Sequence, residues 1–361
     1  MRKNGKLRGN TAQRMSPEDR KRLASVVAAL HYSKERVTQA DIARRLGLSR
    51  MQVNRLLEFA HQMGLVGITP VYAPRSNSLE ADLYRLLPKL KRVVVSWTDP
   101  RLTEEQKTEF VAYSAADFWH AYIRPTGKIN LRIALGGGRT IAKLVDFVVF
   151  DDMGTGIDVL AISNIPQGDW ETSANTNLAV LKRRFREVNI EPLLAMQLSP
   201  EMTKDDIAKE RNRILNLQCV QKHFERALEV SAVFTGVGSL KDERLLKILK
   251  VLRLEESELG QTAVGDLSYN LINHDESVFH DDCPLSRRLI TVPVDTLKQI
   301  AETPGKFVVV VAWGKKKAAP ALDAYRAEAY NTLIVDEEMA EEMVRLVDKS
   351  YLSVKSCGIE N

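Results

Sequence analysis

The residues best suited to binding an anion are three consecutive glycines followed by an arginine and a threonine, Gly136 to Thr140. They follow the apolar run INLRIAL and precede a segment with helical spacing, which predicts a turn from a strand into a helix. Glycine lets backbone N–H groups approach an anion closely, and a helix N-terminus favours negative charge. Arg139 and Thr140 add a guanidinium and a hydroxyl. The pattern favours a phosphate or carboxylate site over a turn without a ligand, although it matches neither the dinucleotide-binding motif nor a Walker loop.

Three further segments follow apolar runs in the same way. Gly236 and Gly238 come directly after VSAVFT, where a turn and a ligand contact are equally good interpretations. Asp266 follows a glycine, which is more typical of a turn, but its carboxylate can also accept hydrogen bonds from sugar hydroxyls. Three lysines ending at Lys317 follow Trp313, and such a run is usually a solvated face. At the end of a central strand, one of these lysines can also reach a ligand.

Residues that suit metal binding or catalysis are few. His274, His280, Asp281, Asp282 and Cys283 are close in sequence, but their spacing matches no usual ligand set and favours a solvated loop. The other four histidines fall on predicted helices and suggest no role. No Ser-His-Asp or Cys-His arrangement can be argued. We therefore predict no catalytic residue, no metal and no cofactor, and a protein that is not an enzyme.

A second set of residues is suited to recognising DNA. Thr38 is a natural N-cap, Gly47 suits the left-handed end of the helix that follows, and Ser49 caps another helix. This pattern predicts a helix-turn-helix, whose second helix enters the major groove. The side chains predicted to contact DNA are Thr38, Gln39, Arg45, Ser49, Arg50, Gln52, Asn54 and Arg55.

Apolar side chains on the other faces of these helices predict a small core. The predicted core positions of the second helix are Met51, Val53, Leu56, Leu57 and Ala60. A helix over Pro17 to Tyr32, capped by Ser16, precedes the motif and completes three helices. Its predicted core positions are Leu23, Val26, Val27 and Leu30.

Charge is divided unevenly along the chain. The formal net charge is +5, but residues 1–75 hold 15 Lys and Arg against 5 Asp and Glu, while the rest holds 37 against 42. Cations clustered in one module are typical of nucleic-acid binding, because each neutralised phosphate releases counterions. We expect residues 1–15 to be a disordered basic tail. The arginines on the amphipathic helices of the predicted helix-turn-helix fit DNA contacts better than they fit a solvated, disordered tail.

The length and composition limit the classes of protein to which the chain can belong. At 361 residues with 44% apolar residues, the chain can form two or three domains with a sizeable core. Its three cysteines form no CxxC pair, which argues against zinc sites and disulfides. No signal peptide precedes the basic start, and no apolar run reaches membrane-spanning length. These features predict a cytoplasmic protein without a membrane partner.

From residue 91 onward, short apolar runs alternate with helical patterns. This alternation predicts an α/β fold with a doubly wound, mainly parallel sheet covered on both faces. Ligands of such sheets bind at the carboxyl ends of the strands. We further predict a short strand or wing at 64–72, a linker at 74–78 and a strand at 191–197.

Taken together, these segments resemble the SorC family of bacterial sugar-responsive transcription regulators. The resemblance covers about residues 20–350. It rests on ADIARRLGLSRMQVNRLL, ALGGGRTIAKLV, TGVGS, AVGD and VVAWGKKKAAPALDAYRAEAYNTLIVDEEMAEEMV. It implies a sugar-phosphate-binding domain related to the ribose-phosphate and glucosamine-phosphate isomerase fold, without isomerase chemistry. It also implies an oligomer, commonly a tetramer, in which effector binding alters operator affinity.

The resemblance assigns effector-binding roles to particular positions. The matching residues are Gly137, Gly138, Arg139 and Thr140 in the early loop, Gly236 and Gly238 in the middle loop, Asp266 in the GD motif, and Lys317 in the late loop. The chain departs from the family where many members have Ser-Trp-Gly before Arg-Thr, and where Trp313 replaces a glycine. Ser173 and Asn175 are only loose counterparts of the family's second effector loop.

These observations predict four segments: a tail at 1–15, a helix-turn-helix domain at 16–73, a linker at 74–78, and an effector-binding and oligomerisation domain at 79–361. The favoured function is a DNA-binding regulator of a carbohydrate or polyol catabolic operon, controlled by a phosphorylated sugar and acting as a homodimer or homotetramer. One alternative is an isomerase-like enzyme with a DNA-binding module, with Asp266 or Asp336 as its base. Another is a DNA-binding oligomer whose α/β body is purely structural.

Overall fold

The computed structural model describes residues 16–32, 37–66, 74–123, 131–149, 156–163, 170–185, 187–194, 198, 201–259, 262–274 and 287–357. The chain divides into two compact units, Met1–Ile68 with Arg183–Phe185, and Thr69–Lys182 with Arg186–Asn361. The predicted tail, most of the predicted wing, and the cluster from His280 to Cys283 lie outside the described residues. None of the helices in the described ranges combines the length and apolarity needed to cross a membrane.

The first unit contains three helices with the predicted caps. They are α1 (Pro17–His31), α2 (Gln39–Leu46) and α3 (Arg50–Gln62). The hydroxyls of Ser16, Thr38 and Ser49 each accept the backbone N–H three residues ahead, at 3.1 to 3.2 Å. Gly47 ends α2 at a φ of +66°, a conformation that glycine adopts without the steric penalty of a side chain. The helix-turn-helix geometry predicted from the sequence is therefore present.

Two of the predicted core positions of this unit are wrong. Met51 is 63% exposed and Val26 is 47% exposed, whereas Ala24 and Ala28 fill the core of α1. A helix turns about 100° per residue, so each misplaced side chain lies well away from its buried neighbours. The buried core consists of Ala24, Val27, Ala28, Val37, Ile42, Ala43, Val53, Leu56, Leu57 and Ala60.

The second unit is built on strands of the predicted α/β type. They are β1 (Arg92–Ser96), β2 (Leu131–Leu135), β3 (Ile157–Ala161), β4 (Val188–Glu191), β5 (Ala232–Thr235), β6 (Val237–Ser239), β7 (Ala263–Leu267), β8 (Asn270–Asn273), β9 (Phe307–Ala312) and β10 (Thr332–Asp336). Residues 195–197 of the predicted strand at 191–197 lie outside the described part of the chain, and the prediction is wrong at 192–194, because β4 has already ended at Glu191. Pro192 follows, and proline has no N–H for the ladder.

Helices precede or separate most of these strands along the chain. They are α4 (Asn77–Leu86), α5 (Glu104–Phe118), α6 (Arg139–Phe147), α7 (Ala174–Arg184), α8 (Lys204–Leu215), α9 (Gln218–Leu228), α10 (Glu243–Val251), α11 (Val294–Glu302), α12 (Ala318–Arg326) and α13 (Glu337–Cys357). Strands β5 and β10 are buried at every position, as expected where both faces of a parallel sheet are covered.

The described residues form two sheets. The larger has seven parallel strands in the order β1-β10-β9-β5-β2-β3-β4. From β2 the chain proceeds outward to β3 and β4, and from β5 it proceeds in the other direction to β9 and β10. The strand order thus reverses between the neighbours β2 and β5, which confirms a doubly wound sheet. The smaller, antiparallel sheet, β6-β7-β8, was not predicted.

The outer edge of β1 is occupied by the start of this unit. The Glu80 carboxylate on α4 accepts the Val95 N–H at 2.9 Å and forms two 2.7 Å hydrogen bonds with Arg75. The Tyr84 hydroxyl accepts the Val93 N–H at 2.9 Å. The predicted linker at 74–78 therefore needs correction, since its polar residues pair with β1 and its last two begin α4. Covering an edge strand in this way prevents pairing with other chains.

Replacing Glu80 by alanine removes the carboxylate that joins α4 to β1. We expect Glu80→Ala to lower the free energy of unfolding by about 1–3 kcal/mol, because the buried Val95 N–H loses its acceptor and the partly exposed Arg75 guanidinium loses its ion pair. The matched control is Asp82→Ala on the same helix, since its ion pair with Arg85 is exposed and should change stability by less than about 1 kcal/mol. Urea denaturation measures both, and equal midpoints for the two variants would contradict the assignment.

Candidate functional site

A cleft lies where the strand order of the large sheet reverses. The predicted effector residues come from four separate segments of sequence, and all of them line this cleft: Gly137, Gly138, Arg139, Thr140, Gly236, Gly238, Asp266 and Lys317. Together with its open mouth, the cleft holds about 670 Å³. Doubly wound sheets place ligands at such a position, because the helices on either side of it leave toward opposite faces.

One end of the cleft is formed by the N-terminus of α6. Gly138 precedes the helix at a φ of +116°, and among the described residues no side chain caps it. Its own N–H is used elsewhere, donating to the Thr172 carbonyl at 2.7 Å. Thr140 is buried in the first turn, while Arg139 is exposed beside it. The first N–H groups of α6 and the Arg139 guanidinium are thus arranged as in an anion site.

A second guanidinium, which the sequence did not point to, lies at the same end. A Cβ atom built on Gly138 would be 3.1 Å from Nη1 of Arg244, so this arginine lies against the glycine loop. Arg244 is the second residue of α10 and lines the cleft. Asp242, the N-cap of α10, accepts the Arg244 N–H at 3.1 Å. No motif marks Arg244, and only the packing of α10 brings it near Arg139.

The opposite wall carries a buried carboxylate. Asp266 lies within β7 and Gly238 within β6, which corrects the interpretation of both as turn residues. The two residues are register partners, and a Cβ atom built on Gly238 would be only 2.0 Å from Asp266 Oδ1. Gly238 is therefore needed to make room for this carboxylate. Asp266 is 8% exposed.

A tight turn holds Asp266 in place. Ser268 and Tyr269 connect β7 to β8 with φ values of +50° and +67°, which are unfavourable for residues with side chains. The Tyr269 N–H donates to Asp266 Oδ2 at 2.8 Å, and the Thr291 hydroxyl donates to the Ser268 carbonyl at 2.8 Å. Both turn residues line the cleft. Strained backbone is typical of functional sites, where surrounding contacts hold it in place.

Lys317 completes the charges of the cleft. It ends a 3-10 turn, and it is more buried than Lys315 and Lys316, which are exposed. Its Nζ atom lies 3.8 Å from Asp242 Oδ2. Burial lowers the pKa of the Lys317 ammonium, Arg244 and Arg139 lower it further, and Asp242 and Asp266 oppose them. Burial likewise raises the pKa of Asp266 against the hydrogen bond from Tyr269.

This arrangement suits a ligand with an anionic end and hydroxyl groups. The α6 N-terminus with Arg139 and Arg244 supplies donors for a phosphate or carboxylate. Asp266 supplies acceptor oxygens for hydroxyls, and Trp313 lines the wall with an aromatic ring. These are the partners that a sugar phosphate requires.

Other residues considered from the sequence are used elsewhere. The Ser173 hydroxyl accepts the Thr176 N–H at 3.0 Å, and the Asn175 side chain exchanges hydrogen bonds with the backbone of Leu193. Asp336, one of the two candidate bases, is not among the residues that line the cleft. Its Oδ1 accepts the N–H groups of Gly314 and Met339 at 2.9 and 3.1 Å.

The candidate DNA-contacting residues lie on α2 and α3 and at the N-cap of each of these helices. Arg45, Arg50 and Arg55 are exposed, and Gln39 is half-buried. Other candidates also have local roles. The hydroxyls of Thr38 and Ser49 cap helices, the Gln52 carbonyl oxygen accepts the Ser49 N–H at 2.8 Å, and the Asn54 amide donates to Glu58 at 2.7 Å.

Comparison with known proteins identifies the fold. Residues 74–345 match the family model described as "Putative sugar-binding domain". The structure of the full-length sorbitol operon regulator SorC from Klebsiella pneumoniae superposes with a TM-score of 0.60 and 21% identity, over 90% of this chain and 99% of that one. A transcriptional regulator from Streptococcus pneumoniae superposes with a TM-score of 0.61 and 16% identity, over 76% of this chain and 97% of that one.

Curated relatives match along nearly the whole chain. The sorbitol operon regulator of Klebsiella pneumoniae is 24% identical over 92% of this chain and 100% of its own length. The deoxyribonucleoside regulator of Bacillus subtilis (strain 168) is 24% identical over 90% of this chain and 98% of its own length. The transcriptional regulator LsrR of Escherichia coli O157:H7 is 23% identical over 88% of this chain and 93% of its own length. All three are named as regulators.

The approach of Gly238 to Asp266 can be tested with two alanine substitutions. We expect Gly238→Ala to lower the free energy of unfolding by about 1–3 kcal/mol, because the new methyl group must displace a buried carboxylate. Gly236→Ala is the matched control, since its Cβ atom would have no neighbour nearer than 3.8 Å and should change stability by about 1 kcal/mol or less. Chemical denaturation measures the difference, and equal stability of the two variants would show that the carboxylate is not held there.

The shifted pKa values predict how anion binding depends on pH. As the pH rises, Asp266 ionises above the ordinary carboxyl range, and Lys317 loses its proton below the ordinary lysine value of 10.5. The first change adds negative charge to the cleft and the second removes positive charge, so affinity for a dianion should fall with rising pH. Sulfate is a suitable probe because it does not titrate in this range.

Lys317→Met should weaken sulfate binding and flatten its pH dependence, whereas Lys316→Met, at an exposed position, should preserve both. Isothermal titration between pH 6 and 10 measures these affinities. Sulfate affinity that is constant with pH in the wild type would contradict the charge arrangement.

Proposed function

The chain belongs to the SorC family of regulators with this sugar-binding domain, and we propose that it controls transcription of a carbohydrate or polyol catabolic operon in response to a phosphorylated sugar. The observation that carries the proposal is the convergence of eight residues, predicted from four segments, on one cleft. Relatives along nearly the whole chain are named as regulators, which supports the same function. In this proposal the protein is not an enzyme, and Asp266 binds rather than catalyses.

The effector in this proposal is held at both ends of the cleft. Its phosphate lies at the N-terminus of α6, where Arg139 and Arg244 donate hydrogen bonds to it and Lys317 adds positive charge. Its hydroxyls donate to Asp266, which the Tyr269 N–H and the space left by Gly238 hold in position. Because the groups are partly shielded from water, each hydrogen bond is stronger than at an open surface.

The operator is bound by the helix-turn-helix module. Arg50 and Arg55 are exposed on α3, the helix that such modules insert into the major groove. The excess of 15 basic over 5 acidic residues in 1–75 supplies the attraction to phosphates. We assign 16–73 to this module. We place the start of the effector domain at Pro74, where the family match begins and the pairing with β1 follows.

Regulation in this proposal requires a homo-oligomer, a dimer or a tetramer. Two modules must contact half-sites that lie about one helical turn apart, or a multiple of it. An effector that binds one arrangement of the subunits more tightly than another shifts the population toward it. Operator affinity changes by the corresponding factor, and operator binding changes effector affinity equally.

The proposal is tested by screening phosphorylated and free sugars and polyols against the full-length chain. We expect a phosphorylated compound to raise the unfolding temperature of the wild type. At a hundredfold excess over Kd, the compound should raise the free energy of unfolding by about 2.7 kcal/mol. The same compound should change affinity for an operator duplex. Arg139→Ala should lose both responses, while the exposed control Lys316→Ala should keep both.

A response to free sugars that survives Arg139→Ala would contradict the phosphate assignment. Equal affinity of the wild type for all DNA sequences at physiological salt would contradict the regulatory function itself.

A further inference from the structure

Met51 is exposed at the centre of the surface that α3 turns away from the core. It is the second residue of α3, and 63% of its surface is accessible to solvent. The buried residues of the helix are Val53, Leu56, Leu57 and Ala60. At about 100° per residue, Met51 lies about 170° from the middle of this buried face. An apolar side chain pointing directly away from the core has no structural role within the module.

The neighbours of Met51 on this surface are two arginines and two amide side chains. On the helix, Met51 falls between Arg50 and Arg55, both of which are exposed. The amide side chains near it already have hydrogen bonds, since the Gln52 oxygen accepts the Ser49 N–H and the Asn54 amide donates to Glu58. The most prominent group available for a new contact between the two arginines is therefore the methionine thioether.

We propose that Met51 is a specificity-determining residue that contacts the C5-methyl group of a thymine in the operator. This inference rests on the proposed function, because it assumes that α3 lies in the major groove. The thymine methyl is the apolar group that base pairs present on the major-groove edge, and apolar side chains recognise it by contact. Methionine is unbranched and polarisable, so it adapts to such a surface with little strain.

The charge around Met51 favours DNA over a protein as the partner. Arginines on both sides would have to lose water at an apolar protein interface, whereas DNA phosphates and guanine edges accept hydrogen bonds from them. An apolar group placed between two cations matches a groove in which thymine methyls lie between hydrogen-bonding base edges.

The test begins with duplexes that the full-length wild-type chain selects from random-sequence DNA. Each thymine of one half-site is then replaced by deoxyuridine, which lacks the methyl group and is otherwise identical. We expect one such replacement to weaken wild-type binding about fourfold, the loss that one buried methyl group brings. Met51→Ala and the similarly sized, polar Met51→Gln should bind thymine and uracil duplexes equally.

Met51→Leu serves as the matched control, since it retains an apolar side chain and should still prefer thymine. Folding is not at issue, because truncating an exposed side chain should leave thermal unfolding unchanged, and this is measured for each variant.

A wild-type chain that tolerates deoxyuridine at every position, or a preference for thymine that persists in Met51→Ala, would overturn the role of Met51 while leaving the regulatory function intact. Failure of the wild type to select any sequence would overturn the proposed function together with this inference.

Discussion

The reversal of strand order between β2 and β5 is the constraint on which the site depends. These two strands are paired in parallel, and the Gly136 N–H donates to the Phe234 carbonyl at 2.8 Å where they end. Beyond this hydrogen bond the segments that follow the two strands diverge, because β2 is followed by α6 and β5 by β6. Their divergence leaves the cleft open and aligns the glycine loops on both of its sides.

The small antiparallel sheet supplies the rest of the wall. Only Gly236 separates β5 from β6, so the chain passes directly from the parallel sheet into the second one. Pairing of β6 with β7 then brings Asp266 against Gly238, across from the N-terminus of α6. The buried carboxylate and the largely buried Lys317 are costly to place in the apoprotein. A ligand that pairs with both charges would offset that cost. The free energy of unfolding would then be higher with the ligand bound.

Much of this arrangement could be predicted from the sequence, because it follows from local chemistry. Ser16, Thr38 and Ser49 cap helices wherever they occur in this pattern, and glycines after apolar runs mark strand ends. Arg244 could not be predicted, since its place depends on tertiary packing that brings α10 beside Gly138, far away in sequence. Asp266 was mistaken for a turn residue because strands with a glycine and an aspartate contradict β-propensity. Met51 was assigned to the core because the hydrophobicity of a residue does not by itself distinguish a buried position from an exposed one.

We propose above all that a phosphorylated sugar binds in the cleft where the strand order reverses. Amide hydrogen exchange of the full-length chain, with and without the phosphorylated sugar that stabilises it most, tests this most directly. We expect slower exchange at the amides of residues 139–141 and 236–239, since ligand contact and a more rigid cleft protect both segments together. Unchanged exchange in both segments, with protection elsewhere in the chain, would contradict it.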